Sequence, residues 1–110
     1  MSFEPKSIAV HYILFYEVVD DYITRRTQFR EAHLKLAQES FDRGDIVLAG
    51  AFAEPVDGAA IVFRGPSPVS AENFAKNDPY VKNGLVTSWR VRKWMTVVGD
   101  DEAQKETGPK

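Results

Sequence analysis

Apolar residues are concentrated in four segments of the chain, and each segment has a composition typical of a β-strand. Residues 7–16, 46–52, 59–63 and 86–98 are dominated by apolar, β-branched and aromatic types, which fit a pleated sheet. The first two segments carry apolar residues at both odd and even positions. Because a strand with one solvent-facing side alternates apolar with polar residues, these two segments predict strands that are covered on both faces.

Two segments between the strands carry helical signals. A first helix is predicted for residues 20–43, because two aspartates stand at its start and Gly44 follows it in the position of a C-terminal glycine. A second helix is predicted for residues 70–77, with Ser70 as its N-terminal cap. An Asp-Gly pair within residues 54–58 predicts a tight turn, so the second and third strands are expected to form a hairpin.

The resulting order is β-α-β-β-α-β, which predicts an α+β domain of the ferredoxin-like type. Its four-stranded antiparallel sheet would carry both helices on one face. The opposite face would then be bare although its residues are apolar, and a second copy of the chain is the simplest cover. The alternative is that loops flank this face. Residues 1–99 are expected to form the domain, whereas the polar residues 100–110 are predicted to be disordered.

Composition excludes several classes of function. The chain has 110 residues, room for one domain, and a formal net charge of −2 from 14 basic and 16 acidic residues, so a nucleic-acid-binding face is not expected. It has no cysteine, which removes disulfides and thiolate chemistry. The N-terminal residues show no secretion signal, and no apolar run approaches the ~20 residues that span a bilayer. The sequence therefore predicts a cytoplasmic protein without membrane segments.

Three polar side chains fall on the apolar side of the first predicted helix. Stepping along it at ~100° per residue, His33 lies near the middle of an apolar arc, and Arg30 and Arg26 also lie inside it. The apolar members of this arc are Phe29, Ala32, Leu34, Leu36, Ala37 and Phe41. Burying unpaired charge is costly, so the cluster predicts a water-lined cavity. The alternative is that His33 hydrogen-bonds a neighbour in the core while the arginines extend to the helix edge.

Asp78 is the second candidate for chemistry. It continues the apolar stripe of Ala71, Phe74 and Ala75 and is expected to point toward the same sheet face as His33. A carboxylate beside an imidazole orients the ring and stabilises its protonated form, which suits a general acid or base. The alternative is local, because an Asp before Pro79 is a good cap for a short helical turn. The two histidines form no metal-binding motif, and no nucleotide-binding glycine pattern is present.

Four segments of the sequence, in this order, resemble the YciI-like (YCII-related) proteins. The Arg-x-x-His-Leu stretch at residues 30–34 is similar to the first helix of that family, and residues 43–50 resemble its glycine-bounded second strand. Residues 77–85 carry a similar Asp-Pro-Tyr-x-x-x-Gly-Leu signature, and residues 91–99 resemble the closing strand. Each motif is weak alone, but the ordered set is fairly specific.

The resemblance implies a dimeric α/β barrel, in which two ferredoxin-like sheets face each other, and a pocket with a His–Asp pair that maps to His33 and Asp78. Some relatives act on ring-derived small molecules by proton transfer, including dehydrochlorination. The first hypothesis is therefore a lyase or isomerase without metal or organic cofactor. His33 would transfer a proton, Asp78 would hold the imidazole, and Arg30, Arg26 and Tyr80 would contact an anionic or phenolic substrate.

The second hypothesis is a non-catalytic module that binds a small ligand or a partner with the same dimeric fold, because fold alone does not fix function. Either hypothesis expects a homodimer. The sequence does not decide whether dimers associate into a higher oligomer, and it does not identify a substrate.

Overall fold

The structure is a computed structural model that describes residues 11–99 and 101. Strands and helices follow one another along this part of the chain. The strands are β1 (His11–Val18), β2 (Ile46–Ala51), β3 (Gly58–Arg64) and β4 (Val86–Trp94). The helices are α1 (Tyr22–Arg25), α2 (Arg30–Asp42), α3 (Val69–Asn77) and α4 (Pro79–Lys82), and a 3-10 turn over Arg26–Gln28 joins α1 to α2.

The four strands form one antiparallel sheet in the order β2-β3-β1-β4. β1 and β2 run in the same direction but are separated by β3, which is the split β-α-β arrangement of ferredoxin-like domains. The predicted fold class, α+β with a four-stranded antiparallel sheet, is confirmed. The arrangement places β2 at an edge of the sheet, beside α2.

The end of α2 fixes how this helix meets the edge strand. Gly44 has a backbone φ of +92°, which residues with a Cβ atom rarely adopt. Its N–H donates to the carbonyl of Phe41 at 2.9 Å, and the N–H of Asp45 donates to that of Ser40 at 3.0 Å, the paired bonds of a Schellman motif. β2 begins directly afterwards, so the strand runs back along α2 in the opposite direction.

The pleat of β1 separates the two faces of the sheet. Tyr12, Leu14 and Tyr16 lie on the helix side and are buried. Ile13 and Phe15 lie on the opposite face and are only partly buried. The core between sheet and helices contains Leu14, Tyr16, Ile46, Ile61, Phe63, Phe74, Ala75, Tyr80 and Leu85.

The face of the sheet opposite the helices carries exposed apolar surface. Leu48 and Trp94 lie on this face by register and are exposed. The Arg90 guanidinium lies 4.7 Å above the ring of Phe15, which covers part of it by a cation–π contact. This face is the one for which the sequence predicts a second copy of the chain, and that dimer stays a prediction.

The prediction of one uninterrupted first helix is wrong. The 3-10 turn Arg26–Gln28 divides it, and the Asp21 side chain makes no capping hydrogen bond at the start of α1. The segment contains Ile23, Thr24 and Thr27, whose branched Cβ atoms lower helix propensity. The interruption leaves α2 as the longer helix, and it begins at Arg30.

Two other element boundaries differ from the predictions. Ser70 does not cap the second helical region, because α3 begins at Val69; the Oγ of Ser67 accepts a hydrogen bond from the N–H of Val69 at 3.3 Å. The last strand ends at Trp94 rather than at residue 98. The predicted start of the first strand, before His11, lies outside the described residues.

Asp101 ties the end of the described chain to the sheet. Its Oδ2 lies 2.9 Å from Nε2 of His11, whose Nδ1 lies 2.7 Å from Oγ1 of Thr96. Arg64 donates to Asp101 and, at 2.7 Å, to the carbonyl of Gly44. Asp101 belongs to the segment predicted to be disordered; the rest of that segment lies outside the described residues, so its disorder stays a prediction.

No helix within residues 11–99 and 101 is long and apolar enough to cross a membrane.

Candidate active site

A cavity of about 630 Å³ lies between α2 and the β2–β3 half of the sheet. Its helix wall includes Arg30, His33, Leu34, Ala37 and Phe41. These positions follow the three- and four-residue spacing that places side chains on one face of a helix. This part of the arc identified in the sequence therefore faces a cavity, whereas Phe29 and Leu36 pack against the core.

The cavity explains why parts of this arc are more exposed than the sequence predicts. Leu34 is 46% exposed and Phe41 is 52% exposed, although both belong to the predicted apolar arc. Arg30 is also exposed, whereas Arg26 is partly buried. Small side chains on the facing strands, including Ala49, leave this space between helix and sheet open.

His33 and Asp78 meet at one end of the cavity. The Nδ1 of His33 lies 2.8 Å from Oδ1 of Asp78, and the Asp78 side chain is 0% exposed while that of His33 is 16% exposed. The two residues are 45 positions apart in the sequence. The structure thus brings together the two side chains that the sequence analysis selected as a proton-transfer pair.

Three donors converge on the Asp78 carboxylate. Besides His33, the hydroxyl of Tyr16 donates to Oδ2 at 2.6 Å, and the backbone N–H of Tyr80 donates to Oδ1 at 3.0 Å. Hydrogen bonds donated to a carboxylate offset the cost of removing it from water. The bond to Tyr80 also caps α4, so Asp78 has both the local capping role and the contact with His33.

The carboxylate fixes the orientation and the tautomer of the imidazole. A carboxylate accepts hydrogen bonds, so this contact favours the tautomer in which Nδ1 of His33 carries the proton. The ring also stacks on Tyr80, with centroids 3.9 Å apart and planes 9° apart, and meets the edge of Phe74. Nε2 makes no hydrogen bond with another described residue and is the nitrogen available to a ligand in the cavity that His33 lines.

Tyr16 is a member of the site that the sequence analysis missed. Its hydroxyl bonds to Asp78 and its side chain lines the cavity. Burial is the main cause of a raised Tyr16 pKa, and the charge and hydrogen bond of Asp78 raise it further. The phenol therefore stays protonated and acts as a hydrogen-bond donor. Tyr16 lies two positions after Leu14 in β1, so the sequence could have placed it on the helix side of the sheet. That spacing fits a core packing residue equally well.

Tyr80 brings a second phenol to the same end of the cavity. Its side chain is 1% exposed, and its hydroxyl makes no hydrogen bond of regular geometry to a described residue, although the Arg30 guanidinium approaches it as a donor. Burial and the nearby Tyr22 raise the pKa of Tyr80, and the positive charges of Arg30 and Arg26 oppose that rise. A buried polar group normally has a hydrogen-bond partner. A ligand in the cavity could be that partner by accepting a hydrogen bond from the Tyr80 hydroxyl.

The two arginines complete the polar end of the cavity. The Arg26 guanidinium lies 5.2 Å from the centroid of the Tyr22 ring, and Arg30 lines the cavity beside Tyr80. Within the part of the chain that the structure describes, no group of three or more histidine, aspartate or glutamate side chains is arranged to hold a metal ion. This end of the cavity therefore combines an imidazole–carboxylate pair with the positive charges of two arginines.

Comparison with solved structures supports the fold. One similar structure is 5-chloro-2-hydroxyhydroquinone dehydrochlorinase (TftG) from Burkholderia phenoliruptrix AC1100 in complex with 2,5-dihydroxybenzoquinone, with a TM-score of 0.64 and 18% identity over 76% of this chain and 92% of that one. Another is a conserved protein from Methanosarcina mazei Go1, with a TM-score of 0.50 and 10% identity over 81% of this chain and 94% of that one. At these identities the likeness concerns the fold alone.

None of the curated proteins compared with the chain matches it. The model of the YCII-related domain, in contrast, matches residues 10–95. That span contains all four strands, the cavity and both members of the His33–Asp78 pair, and it confirms the family resemblance noted in the sequence. The chain belongs to the YCII-related domain family.

Proposed function

We propose that this chain is a small-molecule lyase or isomerase that transfers a proton through His33 and uses no metal or organic cofactor. The observation that supports it is the contact between His33 and the buried Asp78, which leaves Nε2 of the imidazole at a cavity. The proposed chemistry needs only side chains that line this cavity or support its lining.

In the proposed reaction, Nε2 of His33 removes a proton from a carbon of the substrate. Asp78 stabilises the imidazolium that forms, because its negative charge lies against Nδ1. In an elimination, the electron pair of the broken C–H bond forms a double bond, and the leaving group departs with the electrons of its own bond to carbon. In an isomerisation, the imidazolium returns the proton to another carbon.

Negative charge on the substrate would be bound at the polar end of the cavity. Arg30 and Arg26 provide positive charge there, and the Tyr80 hydroxyl is an uncommitted donor. Both features suit a carboxylate, a phenolate or an enolate that forms as the proton leaves. The substrate class is therefore a small anionic or phenolic molecule.

The similarity to TftG agrees with this class of reaction. That protein is a dehydrochlorinase whose structure contains a dihydroxybenzoquinone. Removal of HCl is an elimination that breaks a C–H or O–H bond together with a C–Cl bond. At 18% identity the likeness itself concerns the fold, so the type of reaction belongs to the proposal and the substrate of that protein is not carried over.

The proposal includes a homodimer. The exposed face of the sheet contains Leu48 and Trp94, and burying such a surface against a second copy is favourable. Sedimentation equilibrium of the wild-type chain is expected to give a dimer, and the variant Trp94→Arg is expected to weaken it. A wild-type chain that is monomeric at micromolar concentration would contradict this part of the proposal.

The catalytic proposal is tested with a panel of lactones and halogenated hydroquinones. Wild type is expected to convert at least one member, and His33→Ala to lose that turnover while retaining a native circular dichroism spectrum. Unchanged turnover in His33→Ala would exclude His33 from the mechanism. Tight binding of panel members without any turnover by wild type would instead favour a non-catalytic ligand-binding module.

A further inference from the structure

The cavity has two chemically different halves along the axis of α2. The polar half is formed by the arginines Arg26 and Arg30, His33 and the phenols of Tyr16 and Tyr80. From Arg30 to Phe41 the helix extends roughly 16 Å at 1.5 Å per residue. The charged groups are therefore confined to the N-terminal end of a longer groove.

The other half is apolar on both walls. Leu34, Ala37 and Phe41 line it from the helix, and Ile46 and Ala49 line it from the strand that runs back beside the helix. No charged side chain belongs to this half of the lining. Gln38 is its polar member, and the Gln38 side chain already donates to Asp42 at 2.9 Å.

Two independent observations, one in each half, bear on the kind of ligand that would fit this cavity. In the polar half, the buried Tyr80 hydroxyl donates no hydrogen bond to a described residue, because its neighbour Arg30 can only donate to it, and leaving such a donor unsatisfied is costly. In the apolar half, Leu34 and Phe41 are half exposed at the wall of a cavity rather than packed. A ligand with an oxygen at one end and hydrocarbon at the other would satisfy both.

We propose that the ligand of this cavity is amphipathic, with an anionic or phenolic oxygen at Arg30 and Tyr80 and an apolar body of several carbons that extends along α2 toward Phe41. This inference rests on the proposed function, because it describes the substrate class of the same site. It goes further in assigning the α2–β2 groove to substrate recognition and in making the length of the apolar body a determinant of affinity.

The test is a binding series of 4-alkylbenzoates, from benzoate to 4-butylbenzoate, measured by isothermal titration calorimetry. Each methylene that enters the apolar half is expected to lower Kd about fourfold. The slope of log Kd against chain length then measures the contribution of the apolar half to binding. The Kd of benzoate itself measures the contribution of the polar half.

Two variants separate these quantities. Ala49→Phe places a large side chain in the apolar half from an exposed position, so it is expected to abolish the dependence of Kd on chain length and to weaken 4-butylbenzoate more than benzoate. Arg30→Gln is expected to raise Kd for the whole series by a similar factor and to keep the slope. Both positions are exposed, and circular dichroism checks that both variants fold.

A flat series in wild type, or the same slope in Ala49→Phe as in wild type, would overturn the inference. So would the absence of binding by every member of the series at millimolar concentration. These results are distinguishable from failure of the proposed function. If Kd depends on chain length but no candidate substrate is turned over, only the proposed catalytic role of His33 is excluded. If a substrate is turned over but Kd does not depend on chain length, only the proposal of an amphipathic ligand is excluded.

Discussion

The domain contains two His–Asp pairs of similar length, and they differ in what surrounds the imidazole. His33 lies 2.8 Å from Asp78 and His11 lies 2.9 Å from Asp101. Both ring nitrogens of His11 are engaged, one by Asp101 and one by Thr96. His33 uses only Nδ1, and its other nitrogen has no hydrogen bond to another described residue.

The difference lies in the arrangement of partners and not in the residue types. His11 fastens the start of β1 to the chain after β4 and is almost completely buried, which is a structural role. His33 is held from one side and open to a cavity on the other, which is the arrangement that proton transfer requires. A histidine in contact with an aspartate is therefore a functional candidate only when one nitrogen is left for a ligand.

The largest expected contrast between the pairs concerns catalysis. For a substrate identified from the panel, His33→Gln is expected to lower kcat about 10²–10⁴-fold, the usual contribution of a positioned acid or base. His11→Gln keeps the cavity intact and is expected to leave kcat close to that of wild type. Steady-state kinetics of both variants makes the comparison, and equal losses in the two would show that the pairs are not functionally different.

The second contrast concerns stability. Asp78→Ala leaves three donors without their acceptor in a position that is 0% exposed, and we expect the free energy of unfolding to fall by about 3 kcal/mol or more. The Asp101 side chain is 10% exposed and that of its partner Arg64 is 30% exposed, so water can partly replace the lost contacts and Asp101→Ala is expected to cost less, about 1–2 kcal/mol. Urea denaturation of both variants measures the difference, and a larger loss in Asp101→Ala would reverse the ranking.

The third prediction concerns Tyr16, whose hydroxyl donates a hydrogen bond to Asp78. The His11–Asp101 pair has no corresponding tyrosine among the described residues. Tyr16→Phe removes a hydrogen bond to a charged group and is expected to lower the free energy of unfolding by about 1.5–3 kcal/mol near neutral pH. The Tyr16 pKa is raised in the folded chain, while in the unfolded chain it is about 10. Above pH ~10 the unfolded chain thus binds fewer protons than the folded one, so stability falls as pH rises.

That linkage provides a control within the same variant. Wild type is expected to lose stability above pH ~10 more steeply than Tyr16→Phe, because the variant lacks the phenol that stays protonated only in the folded state. Chemical denaturation between pH 8 and pH 11 gives both slopes. Parallel curves for the two proteins would argue against a protonated, buried Tyr16.

The smallest expected effect is on the ring tautomers. In wild type the neutral His33 ring is expected to carry its proton on Nδ1, and Asp78→Asn, which offers a weaker acceptor, is expected to shift the tautomer equilibrium several-fold, or about 1 kcal/mol. The ¹⁵N chemical shifts of the two imidazole nitrogens report it. The His11 signals serve as the control and should not change, since Asp78 does not contact that ring.

Periodicity was enough to predict the fold class and the faces on which the candidate residues lie. The positions of His33 and Asp78 follow from the apolar stripes of two helices that pack on one sheet face. The break in the first helical region was not predictable in the same way, because the propensities of residues such as Thr24 and Thr27 differ by only fractions of a kcal/mol from those of good helix formers.

Contacts that depend on tertiary structure were also missed. Tyr16 in β1 has the spacing of a packing residue, and nothing local indicates that its hydroxyl meets Asp78. The pairing of His11 with Asp101 joins the start of a strand to an irregular segment 90 positions away, for which no periodic pattern exists. Sequence patterns thus identified side chains on predicted faces, while partners from loops and strand interiors required coordinates.

The start of α4 and the orientation of His33 depend on the same oxygen atom, since Oδ1 of Asp78 accepts from both the Tyr80 amide and the imidazole. Opening this short helical turn therefore releases the ring as well. Hydrogen exchange of the Tyr80 amide requires that opening. Its protection factor therefore measures how rarely the turn is open and the imidazole has lost its contact with Asp78. A ligand that binds only the ordered site would slow exchange at this amide by the factor 1 + [L]/Kd, where [L] is the free ligand concentration.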